Sequence, residues 1–266
     1  MAEGGSSSDH AASERCFLEW MKLQEESQRE LFEALNAVEN RANSNLQHPE
    51  ETERQLTKLV DKSIEQFQDY TDRRMQLAKN DVWAFFAPAW CSARESSLLW
   101  IAGCRPSLFI RLAYSLTGYE LETRVAEFLQ GMKPMEELAG ELSPRQMEQL
   151  DSLQMRTIKE EERLTSKLAM MQEEMADQTV VGIAIRSMKE EGANEELEKA
   201  LEKQDGEMLR LIQQADELRI RTLNELTEIL RPLQAVLFLA FSKKLHLSVR
   251  EWGQRSDRRH GRVGNR

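Results

Sequence analysis

Apolar side chains recur three and four residues apart along most of this 266-residue chain, and little interrupts the pattern. Leu164, Leu168, Met171 and Met175 are spaced four, three and four, and Met208, Leu211, Ala215 and Leu218 continue the same alternation. That interval places every member on one face of an α-helix. Leu56, Leu59, Val60, Ile64, Phe67 and Tyr70 mark a second such face, and Phe17, Trp20, Met21, Leu31, Phe32 and Leu35 a third. With only 12 Gly and 6 Pro the chain lacks the turn residues that a β-rich fold of this length needs. The pattern predicts an all-α, multi-helix bundle with long antiparallel helices. No stripe runs cleanly for three or four heptads, so a bundle within one chain is preferred to a coiled coil between chains. Homo-oligomerisation stays open.

The breaks in the stripes set the boundaries. Residues 1–12 are small and polar and read as a disordered leader. Residues 13–253 read as a single helical domain, and 254–266 as a basic, disordered tail. RANSNLQHPEE separates the first helix from a second over about 50–79. Residues 81–131 are the least charged part of the body and read as a short-helix aromatic core segment. There DVWAFFAPAW leads into CSARESSLLWIAG, a short helix with Gly103 as its C′ residue. Pro106 restarts a helix at an early position, where its missing N–H costs nothing. Ser143-Pro144 is a cap followed by a first-turn proline, so a long helix starts there. A break is expected around Gly192, and Pro232 interrupts or kinks the helix before it. The last helix should run to about Trp252, buried where Ala235–Phe241 is apolar almost all round.

Several function classes are excluded on this reading. The start lacks the basic and apolar regions of a signal peptide. The longest apolar run, Leu233 to Phe241, is about half a membrane span. Cys16, Cys91 and Cys104 are odd in number and form no CxxC, which fits a reducing compartment. The net charge is −10, but residues 243–266 carry eight Lys/Arg against Glu251 and Asp257, leaving −16 on the remainder. Such a body disfavours phosphate binding. His246 has Arg250 where a helical metal or haem site would place a second ligand, so no cofactor is expected. Glu160-Glu161-Glu162 reads as a solvated helix face rather than an acid/base pair. No GxSxG, HExxH, P-loop or GxGxxG occurs, and no His neighbours Cys91 or Cys104 in sequence. A non-enzymatic protein is expected.

One stretch is more specific than these patterns. Trp90, then Ala93, Glu95, Leu99, Trp100, Gly103, Arg105, Pro106 and Ser107 in CSARESSLLWIAGCRPS resemble the LWxGGxRPS core of the plant Delay-of-Germination, or seed dormancy control, domain. ADELRIRTLNELTEIL at Ala215–Leu230 is similar to the family's ADxLRxxTL segment, and the likeness spans about residues 15–255. The same domain forms the C-terminal part of TGA-type bZIP transcription factors. Here about fifteen residues precede it, with Arg15 alone basic, so a stand-alone member is expected. The resemblance implies a regulatory adaptor in hormone, dormancy or developmental signalling, in the nucleus and/or cytoplasm. It would bind phosphatases or transcription regulators and act on transcription indirectly, without sequence-specific DNA binding.

The residues of that segment admit two roles. Trp100 can pack beneath a helix-to-helix corner with Arg105 tied to a carboxylate or carbonyl. Alternatively, Trp90 and Trp100 line a groove for a partner helix or a lipid-like ligand, Trp and Arg being common hot-spot residues. A second surface is the basic C-terminal helix. Leu237, Phe241, Leu245 and Trp252 share a face there, with Lys243, Lys244, Arg250, Arg255, Arg258 and Arg259 as the cations. Such a helix suits calmodulin or an anionic membrane, giving a peripheral-membrane or calmodulin-responsive alternative similar to the inaperturate-pollen proteins. In the other reading its first part is buried, and only the arginines after Gly253 act.

Overall fold

The computed structural model describes residues 3–43, 49–117, 141–174, 181–183, 185 and 193–262. Its helices are α1 (Glu3–Asn43), α2 (Pro49–Ala78), α3 (Trp83–Phe86), α4 (Ala93–Ser97), α5 (Ser107–Thr117), α6 (Pro144–Glu174), α7 (Ala193–Ile229) and α8 (Pro232–Arg259). Among the described residues the one β-type pairing joins Trp100 to Gly103. The fold is all-α, as the stripes require. The expected break at Gly192 and the 118–131 end of the aromatic segment lie outside the described residues.

Side-chain pairs show how the long helices run. Glu19 meets Arg73, Glu30 meets Lys62 at 2.6 Å, and Arg41 meets Thr52, so α1 and α2 are antiparallel. Thr157 opposite Thr222 and Lys167 opposite Gln214 set α6 against α7 in the same sense. Phe32 lies on Phe241 and Phe17 on Arg250, which makes α8 antiparallel to α1. The helix ends follow local chemistry. Ser143 and Gln146 form the reciprocal cap of α6, each binding the other's backbone N–H. Pro232 takes the first turn of α8, so it ends one helix and opens the next rather than kinking either. Gln146 bridges the corner by donating to the Ile229 carbonyl and the Gln234 side chain, both at 2.9 Å.

Two cores result. One gathers Leu31, Leu35, Ile110, Leu150 and Leu226 around Ala235–Phe241, all of whose residues are buried. The other gathers Phe17, Trp20, Phe85, Trp90, Ile101, Leu164, Leu211 and Ile212 at the opposite end of α1.

Among the described residues, helix extends into both ends that were expected to be disordered. The leader is helical from Glu3: Ser13 is buried and the His10 ring edge meets Trp90 at 5.5 Å. Extending a packed helix costs far less than starting one, so poor formers such as GGSSS are carried along. At the other end α8 passes Gly253 and stops at Gly261 (φ +63°). There the Arg262 N–H donates to the Asp257 carbonyl at 2.9 Å and Gly261 N–H to Arg258, a Schellman cap. The buried Asp257 carboxylate accepts from Ala93 N–H at 2.9 Å and so ties the end of α8 to the start of α4.

Candidate partner-binding surface

The segment after α4 is built for one sharp reversal. Ser92 and Glu95 form a complete capping box at the start of α4. The helix ends at Ser97, earlier than expected, and the chain turns back between Trp100 and Gly103. Trp100 N–H donates to Gly103 O at 2.7 Å, and Gly103 N–H to Trp100 O at 3.2 Å. The two central residues, Ile101 (φ +44°) and Ala102 (φ +59°), are both left-handed. Such turns normally take Asn-Gly, because a Cβ is unfavourable there. A β-branched residue at positive φ costs on the order of 1–3 kcal/mol and persists only where its surroundings hold it.

Arg219 of α7 does the holding. Its Nε donates to the Cys104 carbonyl at 2.7 Å, and its Nη2 to the carbonyls of Ile101, at 2.9 Å, and Trp100. Its Nη1 meets Asp216 at 2.6 Å, and Asp216 also pairs with Arg74 of α2 at 3.2 Å. Arg219 is 1% exposed, so one guanidinium satisfies three loop carbonyls away from water. Ile101 and Ala102 are buried, which further offsets the strain. Gly103 is therefore not the helix C′ residue expected. It is glycine because a Cβ there would lie 2.8 Å from the Arg219 guanidinium carbon.

Arg105 and Ser107 are fixed from α6. Glu161 accepts from Arg105 Nε at 3.1 Å, from Ser107 N–H at 2.7 Å and from the Ser107 hydroxyl at 3.0 Å. Glu161 is buried, which corrects its reading as part of a solvated acidic run. Trp100 is half-buried. The guanidiniums of Arg219 (5.3 Å) and Arg105 (5.9 Å) both lie over its ring, and its indole N–H donates to Thr165 at 2.9 Å. The corner reading, with Arg105 tied to a carboxylate, matches this geometry. On either side of it in the chain, Leu98 is 56% exposed and Leu108 49%.

The remaining candidates separate into core and surface. Trp90 is buried against His10, Phe17 and Phe85, so it lines no groove. Lys243 is 5% exposed, lies over the Trp20 ring and meets Gln24 at 3.4 Å. Desolvation pushes its pKa down to about 8. Arg250 lies over Phe17 at 4.9 Å and pairs with Glu95 at 3.1 Å. The docking reading of α8 places both on the surface; the antiparallel α1 covers Lys243, and α1 and α4 take up Arg250. Lys244 is half-buried. Arg255 is exposed and pairs with Glu251, while Arg258 and Arg259 are exposed. Half-buried His246 is held below its ordinary pKa by burial. Burial also raises Cys16 and pushes Cys91 up to about 12, a state that suppresses thiolate chemistry. Asp216, Arg219, Arg74, Glu161 and Asp257 were not singled out as site residues. The first two lie in ADELRIRTL, whose Asp-x-x-Arg spacing was the available signal.

Comparison with known proteins identifies relatives over most of the chain. The family model described as seed dormancy control matches residues 33–115, which include the corner. Protein DOG1-like 3 of Arabidopsis thaliana is 34% identical over 93% of this chain and 86% of its own length. Protein DOG1-like 1 of the same plant is 32% identical over 97% and 94%. Transcription factor TGA6, also from Arabidopsis thaliana, is 25% identical over 81% of this chain and 56% of its own length. With the Trp100–Ser107 corner inside the family match and two relatives more than 30% identical over most of the chain, the chain belongs to the DOG1-like seed dormancy control family.

Proposed function

We propose that this protein is a non-enzymatic regulatory adaptor that binds other proteins and acts on transcription indirectly, in dormancy, hormone or developmental signalling. The observation that carries the reading is the corner. A strained turn is fixed by a buried arginine, and the segments on either side of it expose Leu98 and Leu108 to solvent. A rigid apolar surface of this kind binds without an ordering cost. The family's relation to TGA6 and the seed dormancy control match support a regulatory role. A body charge of −16 disfavours direct DNA contact. No helix among the described residues is long and apolar enough to cross a membrane. Burial of Lys243 and Arg250 weakens the calmodulin or membrane reading of α8, because two of its cations face the bundle.

The test is affinity purification from plant cells with wild type and with Leu98→Asp/Leu108→Asp. Both side chains are already half in water, so helix content and thermal midpoint should hold while bound proteins are lost. If the same proteins co-purify with the variant, the corner is not the binding surface. A gel shift should show no preference for a TGACG-type site over scrambled DNA.

A further inference from the structure

The outer face of α8 carries a second surface that the corner does not use. Leu245 and Trp252 lie seven residues apart, on one helix face, and are 50% and 52% exposed. Arg255 and Arg259 continue that face toward the C-terminus, with Arg258 beside them, and all three are exposed. The opposite face anchors the helix: Arg250 pairs with Glu95, Asp257 holds Ala93 N–H, and a Cβ on Gly253 would lie 2.1 Å from the Ser92 hydroxyl. This end of α8 is thus a rigid ridge whose docked side is polar and whose solvent side is apolar, then basic.

We propose that this ridge docks an acidic amphipathic helix of a protein partner, with Leu245 and Trp252 taking its apolar side chains and the arginines its carboxylates. Charge complementarity chooses the occupant. The exposed end of α8 presents Arg255, Arg258 and Arg259 against Glu251, while residues 1–242 carry −16, so an acidic segment is drawn to this end and repelled elsewhere, which fixes its orientation. A membrane is disfavoured by the same numbers: two apolar side chains are too few to anchor a helix in lipid, and the acidic body faces an anionic bilayer. Calmodulin wraps its target helices, and the buried faces of α8 leave no room for that. The inference deepens the adaptor reading and rests on it, adding a second site and the chemistry of its partner.

The experiment uses the full chain and a labelled synthetic helical peptide with Leu at i, i+3 and i+7 and Glu on its flanks, followed by fluorescence anisotropy. The expected result is binding that weakens as salt rises, and falls about tenfold or more in Trp252→Ser and in Arg258→Gln/Arg259→Gln. A twin peptide with Lys in place of Glu should bind far more weakly. Circular dichroism should be unchanged in both variants, since none of these side chains is buried. No binding, or binding indifferent to these substitutions, overturns the proposal. So does recruitment to phosphatidylserine vesicles that needs the same residues, which would make the ridge a lipid site. Leu98→Asp/Leu108→Asp separates the two readings: loss of cellular partners with peptide binding intact leaves both standing. Intact partners with peptide binding lost in Trp252→Ser sinks the corner and keeps the ridge.

Discussion

The first half of α8 and the corner around Trp100 are both buried in the same bundle, but by opposite chemistry. From Ala235 to Phe241 the surroundings are hydrocarbon: Leu31, Leu35, Ile110, Leu150 and Leu226 touch a helix that is apolar on every side. At the corner, the buried groups include Arg74, Asp216, Arg219 and Glu161. An apolar core tolerates substitutions of similar volume, because many small contacts share its stabilisation. A buried ionic network concentrates its stabilisation in a few atoms, and removing one leaves the others charged and unpaired. The corner is therefore rigid and brittle, whereas the α8 core is robust.

The largest expected effect tests that contrast. Arg219→Met deletes the donors to Trp100, Ile101 and Cys104 and leaves Asp216 with Arg74 alone. It should cost about 3–5 kcal/mol in chemical denaturation, although Met is apolar and of fair size. Leu237→Met in the apolar core should cost less than about 1.5 kcal/mol. Equal costs would mean that the corner is held by packing and that the ionic network adds little.

Lys243 lies where the two chemistries meet, a cation buried against Trp20 with Gln24 as its polar contact. Its folded pKa, about 8, is below the ordinary 10.5, so between those values the folded state binds fewer protons than the unfolded one. Stability from this group therefore rises with pH across that window, and below it the buried ammonium carries its full cost. Lys243→Met should stabilise the protein by an amount of order 3 kcal/mol at neutral pH, with the gain shrinking toward pH 10. The difference between the two denaturation curves isolates Lys243 from Cys91 and Tyr70, both raised to about 12 by burial, which oppose the rise in wild type. A gain independent of pH would mean that Lys243 reaches water.

How far the sequence foretold this arrangement follows from the same contrast. The stripes of α2, α6 and α7, the Ser143 cap, the start at Pro232 and the burial of Ala235–Phe241 were legible, because each depends on neighbours within a turn or two. The corner was legible as a motif but not in its mechanism. Glu161 on α6 reads as solvated charge, and Arg219 on α7 has no assigned role, until the hairpin is laid against them. Lys243 and Arg250 read as surface cations because a helix wheel does not show that α1 runs across them. The helix over 254–259 was missed for a like reason: Asp257 has a role only once α4 presents the N–H of Ala93.

That tail gives the next prediction. Asp257→Asn keeps the shape but removes the charge at the start of α4, and should cost about 1 kcal/mol. Truncation after residue 253 should cost more, since the Schellman cap and the last turns of α8 go with it. An unchanged thermal midpoint after truncation would restore the free-arm reading and remove the rigid ridge on which the acidic-helix proposal depends.

The last comparison sets two glycines side by side. Gly103 touches the ionic network, and Gly103→Ala forces a Cβ to within 2.8 Å of the Arg219 guanidinium carbon. The side chain cannot yield without releasing its three carbonyls, so a loss of about 1–3 kcal/mol is expected. Gly206 lies inside α7, where an added Cβ meets nothing within 4 Å. There Gly→Ala reduces the freedom of the unfolded chain and should raise stability by about 0.5–1 kcal/mol. The same substitution, a single methyl group, thus has opposite signs at the two sites, and thermal denaturation of both variants reads the signs directly. If Gly103→Ala is neutral, Arg219 can shift while keeping its bonds, and the corner is a softer platform than its buried charges imply.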